Sequence, residues 1–138
     1  MRPTLLLVLV CLILTPAARA VSTPDIILLN GLRDVESNGL EAGLRTWYSD
    51  RLGLATEMRD KLFPVTKDLG DVIDTEVVNI QVISKRVTRY YVAIYYTRCP
   101  VWIRIERYAS RDRSFYLPLK FSLNPDDILP GYVTEFSQ

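Results

Sequence analysis

The hydrophobic pattern of this chain changes its period once, near Gly70. Before that point, apolar residues recur every three or four positions, which predicts helices. After it, apolar and polar residues alternate in runs rich in Val, Ile, Tyr and Trp, which predicts strands. Because helices come first and strands follow, we expect an α+β fold in which N-terminal helices pack on a curved antiparallel sheet of about four strands.

The helical half is expected to contain three segments. Thr23-Pro24-Asp25 is a plausible start for the first, with a capping threonine and a proline in the first turn. Ser37-Asn38-Gly39 interrupts the pattern, which resumes around Trp47. A third segment is expected to end at Leu69-Gly70, with Pro64 limiting its regularity.

The second half predicts four strands joined by short links, which favours an antiparallel meander. The predicted strands are Val72–Ile83, Arg86–Arg98, Val101–Ala109 and Ser114–Leu123. Pro118 has no amide hydrogen to donate, so it predicts an edge or a bulge in the fourth strand.

Alternation assigns a face to each strand residue. In the third strand, Val101, Ile103 and Ile105 share the side that should face the helices. In the second strand Tyr91 and Tyr95 share one side with Ala93, and we expect this to be the inner side. In the fourth strand the inner side is predicted to hold Phe115, Leu117, Leu119, Phe121 and Leu123.

The first twenty residues have the layout of a secretory signal peptide. Arg2 is followed by the apolar run Leu5–Leu14 and by the small-residue site Ala18-Arg19-Ala20. The run is shorter than the roughly 20 residues of a membrane helix, although an uncleaved anchor remains the alternative. We expect cleavage after Ala20, a single domain over residues 21–138, and a secreted or periplasmic location.

Several chemistries are excluded by residues that the chain lacks. It has no histidine, which removes Ser-His-Asp and Cys-His catalysis, His-ligated zinc and proximal-His haem. Asp126-Asp127 follows Asn124-Pro125 and is interpreted as turn chemistry, because calcium requires 6–8 oxygen ligands. We therefore expect no cofactor, no metal and no recognisable catalytic group.

Charge and cysteine content narrow the class further. The net charge is +1, and it falls to −1 without Arg2 and Arg19. Such a balance does not suggest a nucleic-acid-binding protein. After cleavage Cys99 is the only cysteine, so no internal disulfide can form. Cys99 is expected to be a buried or inert thiol; an intermolecular disulfide and a reactive thiol are the alternatives.

The order of these elements resembles the nuclear-transport-factor-2-like superfamily, also called cystatin-like, in which a curved sheet wraps a cone of helices. The matching stretches are RYYVAIYYTRCPVWIRIERY, from Arg89 to Tyr108, and FYLPLKFSLNPDDILP, from Phe115 to Pro130. The chain is most similar to small exported bacterial members of unknown role. Enzymes of the superfamily usually carry His/Asp or paired acids in the cone. This sequence has no histidine and no acid on the strand faces assigned to the core, so catalytic activity is not carried over from the resemblance.

Two sets of candidate site residues follow. Inside the cone, Arg107 offers a planar fork to an anionic group, and aromatic rings suit a small apolar ligand. The candidates for ligand binding are Trp47, Tyr91, Tyr95 and Arg107. The alternatives are that the rings are core residues and that Arg107 is solvated or paired with a helix acid.

On the outer sheet face, aromatic and basic residues predict a contact surface, and sheet-to-sheet packing is a common route to dimers in the superfamily. The interface candidates are Tyr90, Tyr96, Trp102, Arg104, Tyr108 and Tyr116. We expect an exported, non-catalytic interaction module that self-associates as a homodimer or binds another exported protein. The alternatives are a protein that binds a small molecule, anionic or not, in the cone, and an enzyme that uses only acids and tyrosines.

Overall fold

A computed structural model describes residues 23–134. The predicted signal peptide therefore lies outside the described residues. Three helices come first: α1 (Ile26–Asn38), α2 (Leu40–Trp47) and α3 (Leu52–Thr66). Five strands follow: β1 (Val72–Val82), β2 (Val87–Tyr96), β3 (Pro100–Ala109), β4 (Ser114–Tyr116) and β5 (Lys120–Ser122). A 3₁₀ turn at Pro125–Asp127 and a short helix α4 (Gly131–Thr134) end the described part.

The strands form one antiparallel sheet in the order β1-β2-β3-β4, with β5 also paired to β3. The helices pack against one face of this sheet, and the expected α+β class is confirmed. Pro118 lies between β4 and β5, the two short strands that border β3, which agrees with its predicted place at an edge or bulge. Within residues 23–134, no helix has the length and apolar character needed to cross a membrane.

Helix α1 buries Leu28, Leu32 and Val35, which its period places on one side. Its N-cap position is occupied by Asp25 rather than Thr23. Gly39 closes α1 by donating its N–H to the carbonyl oxygen of Val35 at 3.0 Å, with a φ of 90° that favours glycine. The predicted interruption therefore separates two helices by one residue.

Two glycines allow α1 and α2 to approach closely. A Cβ atom on Gly31 would overlap the indole of Trp47, and one on Gly43 would lie 2.8 Å from the carbonyl oxygen of Gly31. The indole Nε1 of Trp47 donates a hydrogen bond to the carbonyl oxygen of Leu28 at 3.1 Å. Trp47 is therefore fixed across the surface of α1 and is 2% exposed.

The central strand β2 is buried on both faces. Its register with β3 pairs Tyr90 with Ile105, Val92 with Ile103, and Ile94 with Val101. These residues all belong to the core between helices and sheet. The predicted inner side of β3 is thus confirmed.

The predicted facing of β2 is wrong. Tyr90 and Tyr96 lie in the core, whereas Tyr91 and Tyr95 belong to the opposite set, on the outer face. Both sets of alternating residues in this strand contain several apolar or aromatic residues, so alternation alone does not choose between them. The set that contains the β-branched Val92 and Ile94 is the one that faces the helices.

The predicted facing of Tyr116 is also wrong. Tyr116 pairs with Arg107 in the register of β3 and β4, and it is buried in the core at 2% exposed. Phe115 instead pairs with Tyr108, and the two ring centroids lie 5.5 Å apart. The chain between β4 and β5 is not a strand, so one alternation does not extend through Pro118. Beyond this break, Phe121 pairs with Ile103 and packs on the core as predicted.

Candidate functional site

A cavity of about 220 Å³ opens where the start of α1, the turn between α2 and α3, and the β3–β4 hairpin meet. We call it the helix–sheet cavity. Its charged lining consists of the guanidinium groups of Arg107 and Arg113 and the carboxylates of Asp25 and Asp50. The cavity therefore joins two cations and two anions that come from four different parts of the chain.

Asp25 is the centre of a polar network in this cavity. Its Oδ2 accepts a hydrogen bond from the hydroxyl of Tyr116 at 2.6 Å and lies 3.3 Å from Nε of Arg107. Nη2 of Arg107 donates to Oγ of Ser114 at 2.8 Å. Asp25 makes no side-chain capping bond to α1, and its carboxylate instead ties the helix start to the sheet.

Arg107 keeps access to solvent in this arrangement. Its side chain is 34% exposed, whereas that of Asp25 is 15% exposed. Its guanidinium is directed to Asp25, to Ser114 and to the hydroxyl of Tyr90. A guanidinium has five N–H groups, so it retains donors for a further acceptor. Arg107 is thus an ion-pair partner that still has donors accessible to a ligand.

The tyrosine hydroxyls beside Asp25 are held in their neutral form. Burial, together with the hydrogen bond to Asp25, raises the pKa of Tyr116. Burial and the nearby charge of Asp25 also raise the pKa of Tyr90. Because a neutral hydroxyl can donate a hydrogen bond to a carboxylate, the network persists across the physiological pH range.

Aromatic rings complete the wall. Trp47, Phe115 and Tyr116 line the cavity together with the side chain of Ile27. The guanidinium carbon of Arg113 lies 5.4 Å from the ring centroid of Phe115, within cation–π distance. The site therefore offers an apolar wall next to charged groups, which is a common composition of small-molecule sites.

Arg51 supports this wall from the side of α3. Its guanidinium carbon lies 4.8 Å from the centroid of Phe115, and its Nη2 donates to the carbonyl oxygen of Tyr116. Nearby, the hydroxyl of Tyr48 donates to the carbonyl oxygen of Leu117 at 2.9 Å and accepts the N–H of Leu119 at 3.1 Å. Tyr48 and Arg51 thus link the irregular chain around Pro118 to the helical half, while the N–H of Leu117 bonds Glu106 in β3.

The outer face of the sheet is the second candidate surface. Tyr91 packs there with Ile128 and Leu129, and Val78 and Trp102 lie against the same cluster. The chain after β5 therefore covers part of this face. Arg89 and Glu106 form an ion pair on the rest of it, with 2.7 Å between Nη2 and Oε1.

The structure separates the predicted ligand-binding residues. It brings Trp47 and Arg107 together in the helix–sheet cavity, and the pairing of Arg107 with a helix acid is the alternative foreseen above. Tyr91 and Tyr95 do not reach this cavity. The hydroxyl of Tyr91 bonds Gln81 at 3.2 Å on the outer face, and that of Tyr95 bonds Glu76 at 2.7 Å.

The predicted interface residues are also divided. Trp102, Arg104 and Tyr108 lie half-buried on the outer face, as expected. Tyr90, Tyr96 and Tyr116 belong to the core and are not available to a partner. The surface that remains is smaller than the sequence suggested.

Sequence reasoning missed Asp25, Asp50 and Arg113 as cavity residues. Asp25 carried a partial signal, because aspartate is a preferred N-cap residue and its place at the start of α1 could be predicted; its contact with the last hairpin could not. Asp50 and Arg113 carried none, since both are charged residues in turns, where solvated side chains are the rule. Only the packing of the turns brings them to one cavity.

The remaining chemistry is sparse. Among the side chains of the described residues, no three Cys, Asp or Glu are grouped so that they could hold a metal ion. Cys99 is a free, partly buried cysteine just before β3. In comparisons with protein-family models, curated proteins and solved structures, nothing matches this chain.

Proposed function

We propose that this protein is an exported, non-catalytic binding module of the nuclear-transport-factor-2-like superfamily, and that it takes up a small molecule in the helix–sheet cavity. The layout of the first twenty residues supports export to the periplasm or beyond. Helices packed on an antiparallel sheet are compatible with the superfamily. The absence of histidine from the sequence supports a role in binding rather than in catalysis.

One observation carries the proposal: Arg107 and Trp47 line the same cavity of about 220 Å³. Arg107 extends from the core-facing side of β3, where its neighbours Ile103 and Ile105 are fully buried. Such a placement is unusual for a residue that serves only solubility, because charged side chains are mostly found on solvated faces. Its fork can bind a carboxylate or phosphate while Trp47 and Phe115 contact the apolar part of the ligand.

The size of the cavity limits the ligand. Pockets for drug-sized molecules measure about 300–1,000 Å³, and this one is smaller. It suits a metabolite with a short apolar portion and one or two charged groups. The fork of Arg107 supports an acidic group as one of them.

Trp47 provides a direct test. The chain has two tryptophans, so Trp102→Phe leaves Trp47 as the only one. We would titrate this variant with a panel of small carboxylates, phosphates and amino acids and record Trp47 emission and melting temperature. A true ligand should change the emission and raise the melting temperature, because a ligand that binds only the native state stabilises it.

Arg107→Lys is the matched variant. It keeps the charge beside Asp25 but removes the planar fork. We expect it to weaken ligand binding about tenfold, which corresponds to one lost charge-assisted hydrogen bond. A panel that leaves both emission and melting temperature unchanged would contradict small-molecule binding at this cavity.

The second candidate function is self-association through the outer face of the sheet, or docking of another exported protein there. It is favoured by the half-buried Trp102, Arg104 and Tyr108 on that face. Tyr, Trp and Arg are enriched at the energetic centres of interfaces. The cover formed by Ile128 and Leu129 reduces the area available to a second copy.

A further inference from the structure

The charges of the helix–sheet cavity are balanced but not all paired. Arg107 and Asp25 neutralise each other at 3.3 Å. The side chains of Arg113 and Asp50 are both exposed and form no ion pair or hydrogen bond within residues 23–134. The guanidinium of Arg113 contacts the ring of Phe115, and only the backbone of Arg113 is hydrogen-bonded, to Ser110. The cavity thus presents one unpaired cation and one unpaired anion.

We propose that the ligand of this cavity is a small zwitterion of the α-amino-acid type, with its carboxylate directed to Arg113 and Arg107 and its ammonium group directed to Asp50. This inference rests on the proposed function and names the ligand class of the same site. A purely anionic ligand would meet two carboxylates in the cavity, and a purely cationic ligand would meet two guanidiniums. A zwitterion gives each unpaired group an opposite charge and adds no net charge.

The origin of the two groups supports this assignment. Asp50 lies in the turn between α2 and α3, whereas Arg113 lies in the loop between β3 and β4. They therefore approach the cavity from the helical layer and from the sheet, respectively. A ligand with two opposite charges can bridge these layers, while Ile27, Trp47 and Phe115 line the same cavity and can contact an aliphatic side chain.

A set of three related compounds tests the proposal on the protein produced from its full coding sequence with the change Trp102→Phe. The probes are L-leucine, 4-methylpentanoate, which lacks the ammonium group, and 3-methylbutylamine, which lacks the carboxylate. We expect L-leucine to change Trp47 emission with a dissociation constant below about 1 mM and to bind at least about ten times more tightly than either analogue.

Two variants assign the charges, and two matched variants control for net charge. Arg113→Gln should weaken L-leucine and 4-methylpentanoate about tenfold but leave 3-methylbutylamine unchanged. Asp50→Asn should weaken L-leucine and the amine but not the carboxylate. Arg111→Gln and Asp112→Asn remove the same charges from positions that are also exposed but do not line the cavity, and they should change nothing.

The outcomes separate this proposal from the previous one. If 4-methylpentanoate binds as tightly as L-leucine and Asp50→Asn has no effect, the ligand is a simple anion; the zwitterion is then refuted and the cavity remains a binding site. The same holds if carboxylates or phosphates of the panel bind and none of its amino acids does. If no compound binds, both proposals fail. Melting temperatures of the variants show that each is folded.

Discussion

The hydroxyl of Tyr116 donates a hydrogen bond to Oδ2 of Asp25 at 2.6 Å and so joins the last hairpin of the sheet to the residue that precedes the first helix. Both partners are largely withdrawn from water. A hydrogen bond to a charged group contributes about 1.5–3 kcal/mol. We expect Tyr116→Phe to lower the free energy of unfolding by about 2 kcal/mol, measured by urea denaturation.

Tyr132→Phe is the control for this variant. The hydroxyl of Tyr132 reaches Oδ1 of Asn79 at 3.4 Å, and the residue is exposed. Its loss should change stability by less than about 0.5 kcal/mol. Equal effects of the two substitutions would show that the bond between Tyr116 and Asp25 does not join helix and sheet energetically.

Alkaline pH should destabilise the protein through its buried tyrosines. Burial raises the pKa of Tyr48, and burial with the Asp25 bond raises that of Tyr116. In the unfolded chain both ionise near pH 10. Their contribution to stability is therefore complete below about pH 10 and is lost as pH rises above it, by about 1.4 kcal/mol per pH unit for each tyrosine that stays neutral in the fold.

Urea denaturation between about pH 8 and about pH 11 measures this slope. Tyr48→Phe should reduce the dependence of the unfolding free energy on pH by the contribution of one tyrosine, about 1.4 kcal/mol per pH unit. Ultraviolet absorbance should show tyrosinate from the buried rings only as the protein unfolds. If all eight tyrosines ionise normally while the chain stays folded, the expected burial of these hydroxyls is wrong.

For Tyr95 the largest cause of the raised pKa is a hydrogen bond to one partner, whereas for Tyr48 and Tyr116 it is burial. The hydrogen bond of Tyr95 to Oε2 of Glu76, at 2.7 Å, raises its pKa to about 12, with burial as the second cause. Glu76→Gln removes the negative charge and should bring the pKa of Tyr95 back towards about 10. Titration of its ring carbon by NMR measures the change. A pKa that does not move would mean that Glu76 is not the partner in solution.

Substitution by alanine should have opposite effects at two glycines, Gly31 in the contact between α1 and α2 and Gly53 in α3. Gly31→Ala would place a methyl group in the indole of Trp47, so we expect a loss of about 1–3 kcal/mol, as for other overpacked cores. Gly53 in α3 has open space around its Cβ position. Gly53→Ala should therefore stabilise by about 0.4–1 kcal/mol, because alanine restricts the unfolded chain. Thermal unfolding of both variants measures the difference; a stable Gly31→Ala would contradict the close contact.

Sequence periodicity predicted the helices and strands well because most of them bury one side, on which apolar residues recur at the period of the helix or strand. In β3 the aliphatic residues Val101, Ile103 and Ile105 alternate with Trp102, Arg104 and Glu106, so the charged residues identify the outer side. The prediction failed in β2, where Tyr90 and Tyr91 are both buried, one on each face. A strand covered on both sides carries no alternating signal.

The candidate site was predictable only in part, for a related reason. Arg107 could be placed because its position in an alternating strand fixes its direction. Asp50 and Arg113 lie in turns, whose side chains follow no period. Likewise, the burial of Tyr116 depends on the break at Pro118, and the cover over Tyr91 depends on where the chain after β5 returns.

Self-association through the outer sheet face makes a prediction about Arg104. This residue lies half-buried between Tyr91 and Lys120 in the sheet register, and no ion pair involves it within the described part of the chain. In a symmetric dimer a charge reversal acts twice, and wherever Arg104 meets an acidic group of the second copy the new carboxylate replaces attraction by repulsion. We therefore expect the protein to be a dimer by light scattering after size exclusion and Arg104→Glu to be monomeric.

Arg111→Glu makes the same charge reversal in the exposed β3–β4 loop and should remain dimeric. The choice of Arg104 over Trp102 matters, because Trp102 also packs against the cluster of Ile128 and Leu129, and its substitution by Asp would disturb that packing as well. An Arg104→Glu protein that dimerises as strongly as the wild type would exclude this face as the interface. A wild-type protein that is monomeric would exclude self-association itself. Ile128 and Leu129 would then cover Tyr91 only to bury the outer face within one chain.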